Sequence, residues 1–186
     1  MAGRIKGFVL SSRINFVKER FGAEALEKIL AALPPADAER LRGVILPSSW
    51  FPVEVEERLD EAIIRVIGGR SEEAFRELGR QSAVKNLAKF QTAFLKGKDP
   101  LRFLAQTPSI YKIYYDAGSR EYQPTGENSG VLITTGAENV TVGDCLTIMG
   151  WHEQALEMVG AKGVKITHPV CRARGGTVCR YEVSWT

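Results

Sequence analysis

Apolar positions recur at helical spacing through the first two-thirds of the chain. Leu26, Ile29, Leu30 and Leu33 repeat along 23–33, and Pro34-Pro35 stops the run. Ahead of it, Ser11-Ser12 stand where they can cap a helix reaching about Phe21, with Gly22 as its end. Residues 37–42 read as a short helix. The clearest stripe lies over 53–67, where Val55, Leu59, Ala62, Ile63, Val66 and Ile67 share one face and Glu54, Glu57, Asp60 and Arg65 lie opposite. Gly68-Gly69 closes that helix. Ser71-Glu72-Glu73 opens the next, with a cap and acids at the positive end of the helix dipole. Two more helical stretches are expected around 86–96 and 99–115, parted by Gly97-Lys98-Asp99-Pro100.

The period then shortens. Arg120 to Gln123 and Gly130 to Thr135 read as strands joined through the turn cluster Asn128-Ser129-Gly130. Thr141 to Val159 reads as a helix ended by Gly160. Val164 to Val170 and Val178 to Trp185 alternate strictly, and residues 172–177 between them form a hairpin loop. Helices followed by strand, strand, helix, strand, strand predict an α+β fold with a mostly antiparallel sheet of about four strands. The chain reads as one domain over 1–186, with a mainly helical half over 1–109 and an α+β half over 110–186.

Composition narrows the function classes. Of 186 residues 44% are hydrophobic and 25% charged, ordinary for a water-soluble domain. A net charge of +3 is too even for a dedicated nucleic-acid binder, which concentrates a basic face. Apolar runs such as Ala62-Ile63-Ile64 fall far short of the roughly 20 residues that cross a bilayer, and no signal-peptide core follows Met1. A cytoplasmic protein is expected. The three cysteines all lie beyond residue 144, which points to a shared local task, and their odd number argues against a disulfide framework.

Three cysteines and a histidine form a familiar set for tetrahedral zinc. Strand alternation puts Cys179 on the inner face with Tyr181 and Val183, and His168 inward with Val164 and Ile166. Cys145 belongs to the apolar stripe Val142, Cys145, Met149, Leu156 and Val159 of the preceding helix. Cys171, three residues past His168, faces outward in a regular strand; a bulge at Pro169 would bring it round. Two other readings stay open. The cysteines serve as small apolar core residues beside a satisfied histidine, or Cys171 and Cys179 form a cross-strand disulfide, which a cytoplasmic setting disfavours.

The segments Cys145 to Gly150, His168-Pro169-Val170-Cys171-Arg172-Ala173-Arg174-Gly175 and Cys179-Arg180-Tyr181-Glu182-Val183 resemble the C-terminal signature of 4-vinyl-reductase-type domains. That family shares its fold with Golgi transport-particle subunits and haem-based nitric-oxide sensors, and includes the sensor domains of phenol-responsive regulators. The resemblance covers about 110–186; the helical half is similar to an uncharacterised myxobacterial family. It implies that Cys145, His168, Cys171 and Cys179 hold a closed, structural zinc, with His168 standing where the family usually has Glu. It further implies a non-catalytic sensory or regulatory homodimer that binds a small apolar or aromatic ligand and signals to a protein partner. The alternatives are a scaffold subunit that needs no ligand and an accessory factor to a pigment-reducing enzyme.

Other residues change this picture little. His152 is seven residues from Cys145, roughly 10 Å along a helix, so it is expected to be a buried or interface histidine, or a polar group of a ligand pocket. Phe90, Phe94, Phe103, Tyr111, Tyr114 and Tyr115 are expected to fill the core between helices and sheet, with a ligand cavity as the alternative. Lys162, Lys165, Arg172, Arg174 and Arg180 form a basic end. The axial histidine with a Tyr/Ser/Arg group used by haem-binding relatives is not assembled, and no phosphate loop or catalytic triad is present, so no enzyme activity is expected.

Overall fold

The computed structural model describes residues 3–137 and 140–186, apart from the side chain of Phe90. A short strand β1 (Arg4–Lys6) leads into helix α1 (Gly7–Ala31), followed by α2 (Pro35–Arg42), strand β2 (Trp50–Pro52) and helices α3 (Val53–Ile67) and α4 (Ser71–Phe90). Helices α5 (Pro100–Ala105) and α6 (Thr107–Tyr114) then precede β3 (Ser119–Gly126), β4 (Ser129–Thr135), α7 (Val142–Met158), β5 (Lys165–Val170) and β6 (Cys179–Ser184). The fold is α+β, as its periodicity predicts. Strands run in the order β3-β4-β6-β5, every pair antiparallel.

The differences from expectation are local. Helix α1 starts at Gly7, earlier than Ser11, because β1 pairs with β2 and feeds straight into it. Three-residue strands are too short to show alternation, so nothing in the pattern announced them. The break at Gly22 is real: its φ of 88° lies where side chains are rarely tolerated, and it separates two helical arms. Helix α4 runs unbroken from Ser71 to Phe90, and the expected 86–96 helix is its last turns followed by a 3-10 turn. The expected 99–115 helix is two helices, because Pro108 restarts the chain near the first turn of α6.

One apolar cluster gathers α1, α2, α3 and the start of α4, around Ile5, Leu10, Phe16, Ile29 and Leu59. A second lies between α4, α6, α7 and the sheet, around Leu87, Phe103, Leu132, Leu156 and Tyr181. Tyr114 and Leu146 pack against both. Helices α4 and α7 meet at glycines: a Cβ on Gly79 would strike the Thr147 carbonyl oxygen, and one on Gly150 that of Arg76. Across this seam Glu153 of α7 is buried and paired with Arg76 and, at 2.8 Å, with Arg80.

Candidate metal centre and interior cavity

Cys145 lies in the first turn of α7, which Thr141 caps by accepting the Asp144 amide at 2.8 Å. His168 comes from β5 and Cys179 opens β6. Between Thr167↔Glu182 and Val170↔Arg180, β5 advances three residues against two on β6. That extra residue at Pro169 reverses the alternation, so Cys171 turns to the same side as His168 and is buried. The loop that follows is held by the Arg174 and Gly176 amides, which donate to the Cys171 carbonyl at 3.1 and 2.8 Å.

All four donor atoms lie within 4.8 Å of one another. Cys145 Sγ is 3.7 Å from Cys171 Sγ and 3.9 Å from Cys179 Sγ. A tetrahedron with zinc–sulfur bonds of about 2.3 Å has an edge of about 3.8 Å, so the thiols already stand at the spacing such an ion needs. His168 stacks on Tyr181 with ring centroids 4.1 Å apart, and its Nε2 is buried without a hydrogen-bond partner. The three cysteines are free, not disulfide-bonded. The Cys145 thiol donates toward Cys179 and holds it down to about 4, helped by His168 and by the Arg172 amide at 3.4 Å, while burial opposes. Cys145 is pushed up by the same contact. A thiolate, an orphaned imidazole nitrogen and two more buried sulfurs form a donor set that a metal ion would complete.

A second feature lies between the helices and the sheet. A cavity of about 60 Å³ is walled mainly by α1, α4, α6 and α7, with Tyr111, Tyr114, Tyr115, Ile148 and Trp151 as its apolar sides and Arg13, Arg120, Asp144 and His152 at its polar ones. A smaller space of about 30 Å³ shares Tyr111, Tyr115 and Asp144 with it and reaches Cys179. The expected aromatic core is thus divided: Phe103 is core, while Tyr111, Tyr114 and Tyr115 line the cavity. Phe94 packs at the edge of the sheet-side cluster, and the side chain of Phe90 lies outside the described part. His152 is buried and lines the cavity. Its Nδ1 lies 2.8 Å from the Ile148 carbonyl, which can only accept, so Nε2 carries the lone pair. Burial, then the Arg120 charge, pushes His152 down to about 3.

One charged group was misassigned by pattern alone. Asp60, expected on the exposed face of its helix, is 0% exposed, and Glu56 beside it is buried as well. They meet Arg13 of α1. Its Nε and Nη2 donate to Asp60 at 2.6 and 3.1 Å, and Nη2 lies 3.4 Å from Asp144. Glu56 Oε1 is 2.5 Å from Arg13 Nη2 but off the line of its N–H bonds, an ion pair without a hydrogen bond. Tyr115 donates to Asp144 at 3.0 Å and Thr141 to Asp60 at 2.7 Å. Burial first, then the Asp144 and Asp60 charges, pushes Glu56 well above its ordinary value against the pull of Arg13. Acids four apart on a helix look like a solvated face, and a lone Arg13 in an apolar stretch was the one available hint. At the basic end, Arg174 pairs with Glu72 at 3.8 Å and Arg180 with Glu182 at 3.1 Å.

The fold is that of H-NOX proteins. It superposes on an Fe(II) unliganded H-NOX mutant from K. algicida with a TM-score of 0.76 and 14% identity, covering 98% of this chain and 97% of that one. An S. oneidensis H-NOX protein in the Fe(II)NO ligation state gives 0.76 and 13% over 98% and 99%, and a structure probing heme distortion in the H-NOX family gives 0.74 and 13% over 98% and 95%. At these identities the likeness is one of fold. Residues 17–186 match the family described as "Protein of unknown function (DUF2378)", and the chain belongs to it. None of the curated proteins matches. The likeness to 4-vinyl-reductase-type domains therefore rests on the C-terminal motif, while the expected likeness in fold to haem-based sensors is met.

Haem itself does not fit the residues present. Pockets for drug-sized ligands start at roughly 300 Å³, and a porphyrin is no smaller, whereas about 60 Å³ is open here. His152 offers a free Nε2, but aromatic side chains fill the space a macrocycle would need beside it. His168 is engaged among the three thiols.

Proposed function

We propose that the chain is a non-catalytic sensory module that binds a small ligand in the interior cavity and carries a structural zinc at Cys145, His168, Cys171 and Cys179. The cavity between helices and sheet carries the sensory reading, because a close-packed interior leaves few spaces of this size. Its volume supports a ligand of a handful of non-hydrogen atoms, and its walls favour a mostly apolar body. The sulfur spacings and the orphaned His168 nitrogen support zinc. With all four positions taken by protein, the ion would leave no site for water or substrate, so it would tie α7 to the β5–β6 hairpin. Signalling would pass by association, in a homodimer or with a protein partner, and the protein would act in the cytoplasm. The scaffold alternative predicts no cavity and is the weaker reading.

Elemental analysis and native mass spectrometry test both parts. About one zinc per chain is expected, and a panel of small probes from bicarbonate to phenol should include one that raises the melting temperature of wild type but not of cavity-filled Ile148→Phe. Zinc-free protein whose three thiols alkylate at once under native conditions overturns the metal assignment. A panel in which no probe shifts the melting temperature overturns the sensory reading.

A further inference from the structure

Arg120 is a buried cation without an anion. It is 7% exposed, and among the described residues no carboxylate lies within ion-pair distance of it. Its Nε donates to Thr134 Oγ1 at 3.0 Å, its guanidinium lies 5.1 Å from the Tyr111 ring and 5.9 Å from the Tyr181 ring, and its Nη2 is buried with no partner. A guanidinium withdrawn from water is costly unless a counter-charge and acceptors meet it. Thr134 and two ring faces supply one acceptor and no charge. The same cavity is lined by His152, 3% exposed, whose unpartnered Nε2 is an acceptor for the reason given above. Trp151 Nε1 is a further buried donor without a partner. The remaining charges on this wall are spoken for: Asp144 faces Arg13 and Tyr115, and the Tyr111 hydroxyl donates to the Ala117 carbonyl at 2.8 Å.

Resting on the sensory reading, we propose that the cavity ligand is a small carboxylate-type monoanion that keeps one hydroxyl, with its anionic oxygens on Arg120 and its O–H donated to His152 Nε2. Size sets the upper limit. A cavity of about 60 Å³ admits a ligand of only a few non-hydrogen atoms. Bicarbonate and glycolate have that size, that charge and that hydroxyl. The low affinity of His152 for a proton keeps it an acceptor while Arg120 is uncompensated, which suits an O–H donor and disfavours a bare carboxylate oxygen at Nε2. Tyr114 and Trp151 border the site with aromatic surface, beside which a charge-assisted contact to Arg120 would form.

Calorimetric titration of the zinc-loaded full chain with bicarbonate, glycolate, acetate, nitrate and phenol tests this, with Trp fluorescence as a second readout. Glycolate or bicarbonate is expected to bind at least tenfold tighter than acetate or nitrate. Arg120→Gln should lose at least a hundredfold in affinity for them, and His152→Phe should reduce the preference over acetate to less than threefold. Should Arg120→Gln fail to fold, Arg120→Lys retains a cation without the fork, and a tenfold loss is expected; unchanged affinity overturns the proposal. So does wild type that binds no oxyanion, or binds acetate as tightly as glycolate. Binding of phenol with no oxyanion bound sinks the anion assignment and leaves the sensory reading standing; binding of no probe at all sinks both.

Discussion

At Cys179 a sulfur is buried against two others and an imidazole, and the Cys145 contact, His168 and the Arg172 amide all favour its thiolate. Replacing it by serine removes one of the three sulfur donors of the proposed zinc set and leaves His168 and two thiols without it. Breaking a buried charged cluster typically costs about 3 kcal/mol or more, which in a domain of this size is a fall in melting temperature of roughly 6–12 °C. Cys179→Ser is expected to show that fall and to lose its zinc. Melting at the wild-type temperature would remove the structural role. Glu56 gives a second test at this scale, through pH. A carboxyl raised in the folded state binds its proton more tightly there than in the unfolded chain. The stability it confers is complete below its unfolded value and is lost as pH rises through the raised folded one. Wild type should therefore lose stability as pH climbs from the ordinary Glu value of 4.5, and Glu56→Gln, which cannot ionise, should lose less. The difference between the two melting curves across pH isolates this group from the metal ligands. Parallel curves would mean that Glu56 is ionised against Arg13.

Among the elements, α4 and α7 come closest, and the glycines at their crossing explain how. Alanine is worth about 1 kcal/mol over glycine inside a helix, but overpacking costs about 1–3 kcal/mol and backbone atoms cannot turn aside as a side chain can. Gly150→Ala, aimed at the Arg76 carbonyl, is expected to lose about 2 kcal/mol in urea unfolding. Gly69→Ala, with nothing within 4 Å, should be close to neutral. Equal stabilities would mean that the two helices slide apart at little cost. The elements that sequence revealed were those whose neighbours impose one period: the α3 stripe, the α7 run ended by Gly160, and the alternation of Cys179, Tyr181 and Val183. The elements it concealed depend on remote partners. Strand β1 exists because Trp50 to Pro52 lies beside it, and Arg120 lies in a strand whose pattern gives no sign that the acid opposite, Asp144, is taken by Arg13 and Tyr115. Cys171 is the intermediate case. Its side of the strand turns on a one-residue bulge that Pro169 permits without dictating.

For the whole molecule, fold and chemistry separate. The layers match those of H-NOX structures over nearly the full chain, yet Tyr111, Tyr115 and Trp151 fill the interior to the point where about 60 Å³ is left open. No helix among the described residues is long and apolar enough to cross a membrane. Helix α7 spans both sites: Cys145 in its first turn faces the other thiols, and Ile148, Trp151 and His152 further along it border the cavity. A rod gripped at one end and loaded at its middle transmits either load to the other, and free energies of that kind are reciprocal. If the proposed zinc and glycolate both bind, whatever factor stripping zinc takes from the affinity for glycolate, saturating glycolate must return to the affinity for zinc. Measured in competition with a chelator, a factor well above one would make the proposed ion a setting of the sensitivity to the proposed ligand. A factor of one in both directions would leave it a rivet.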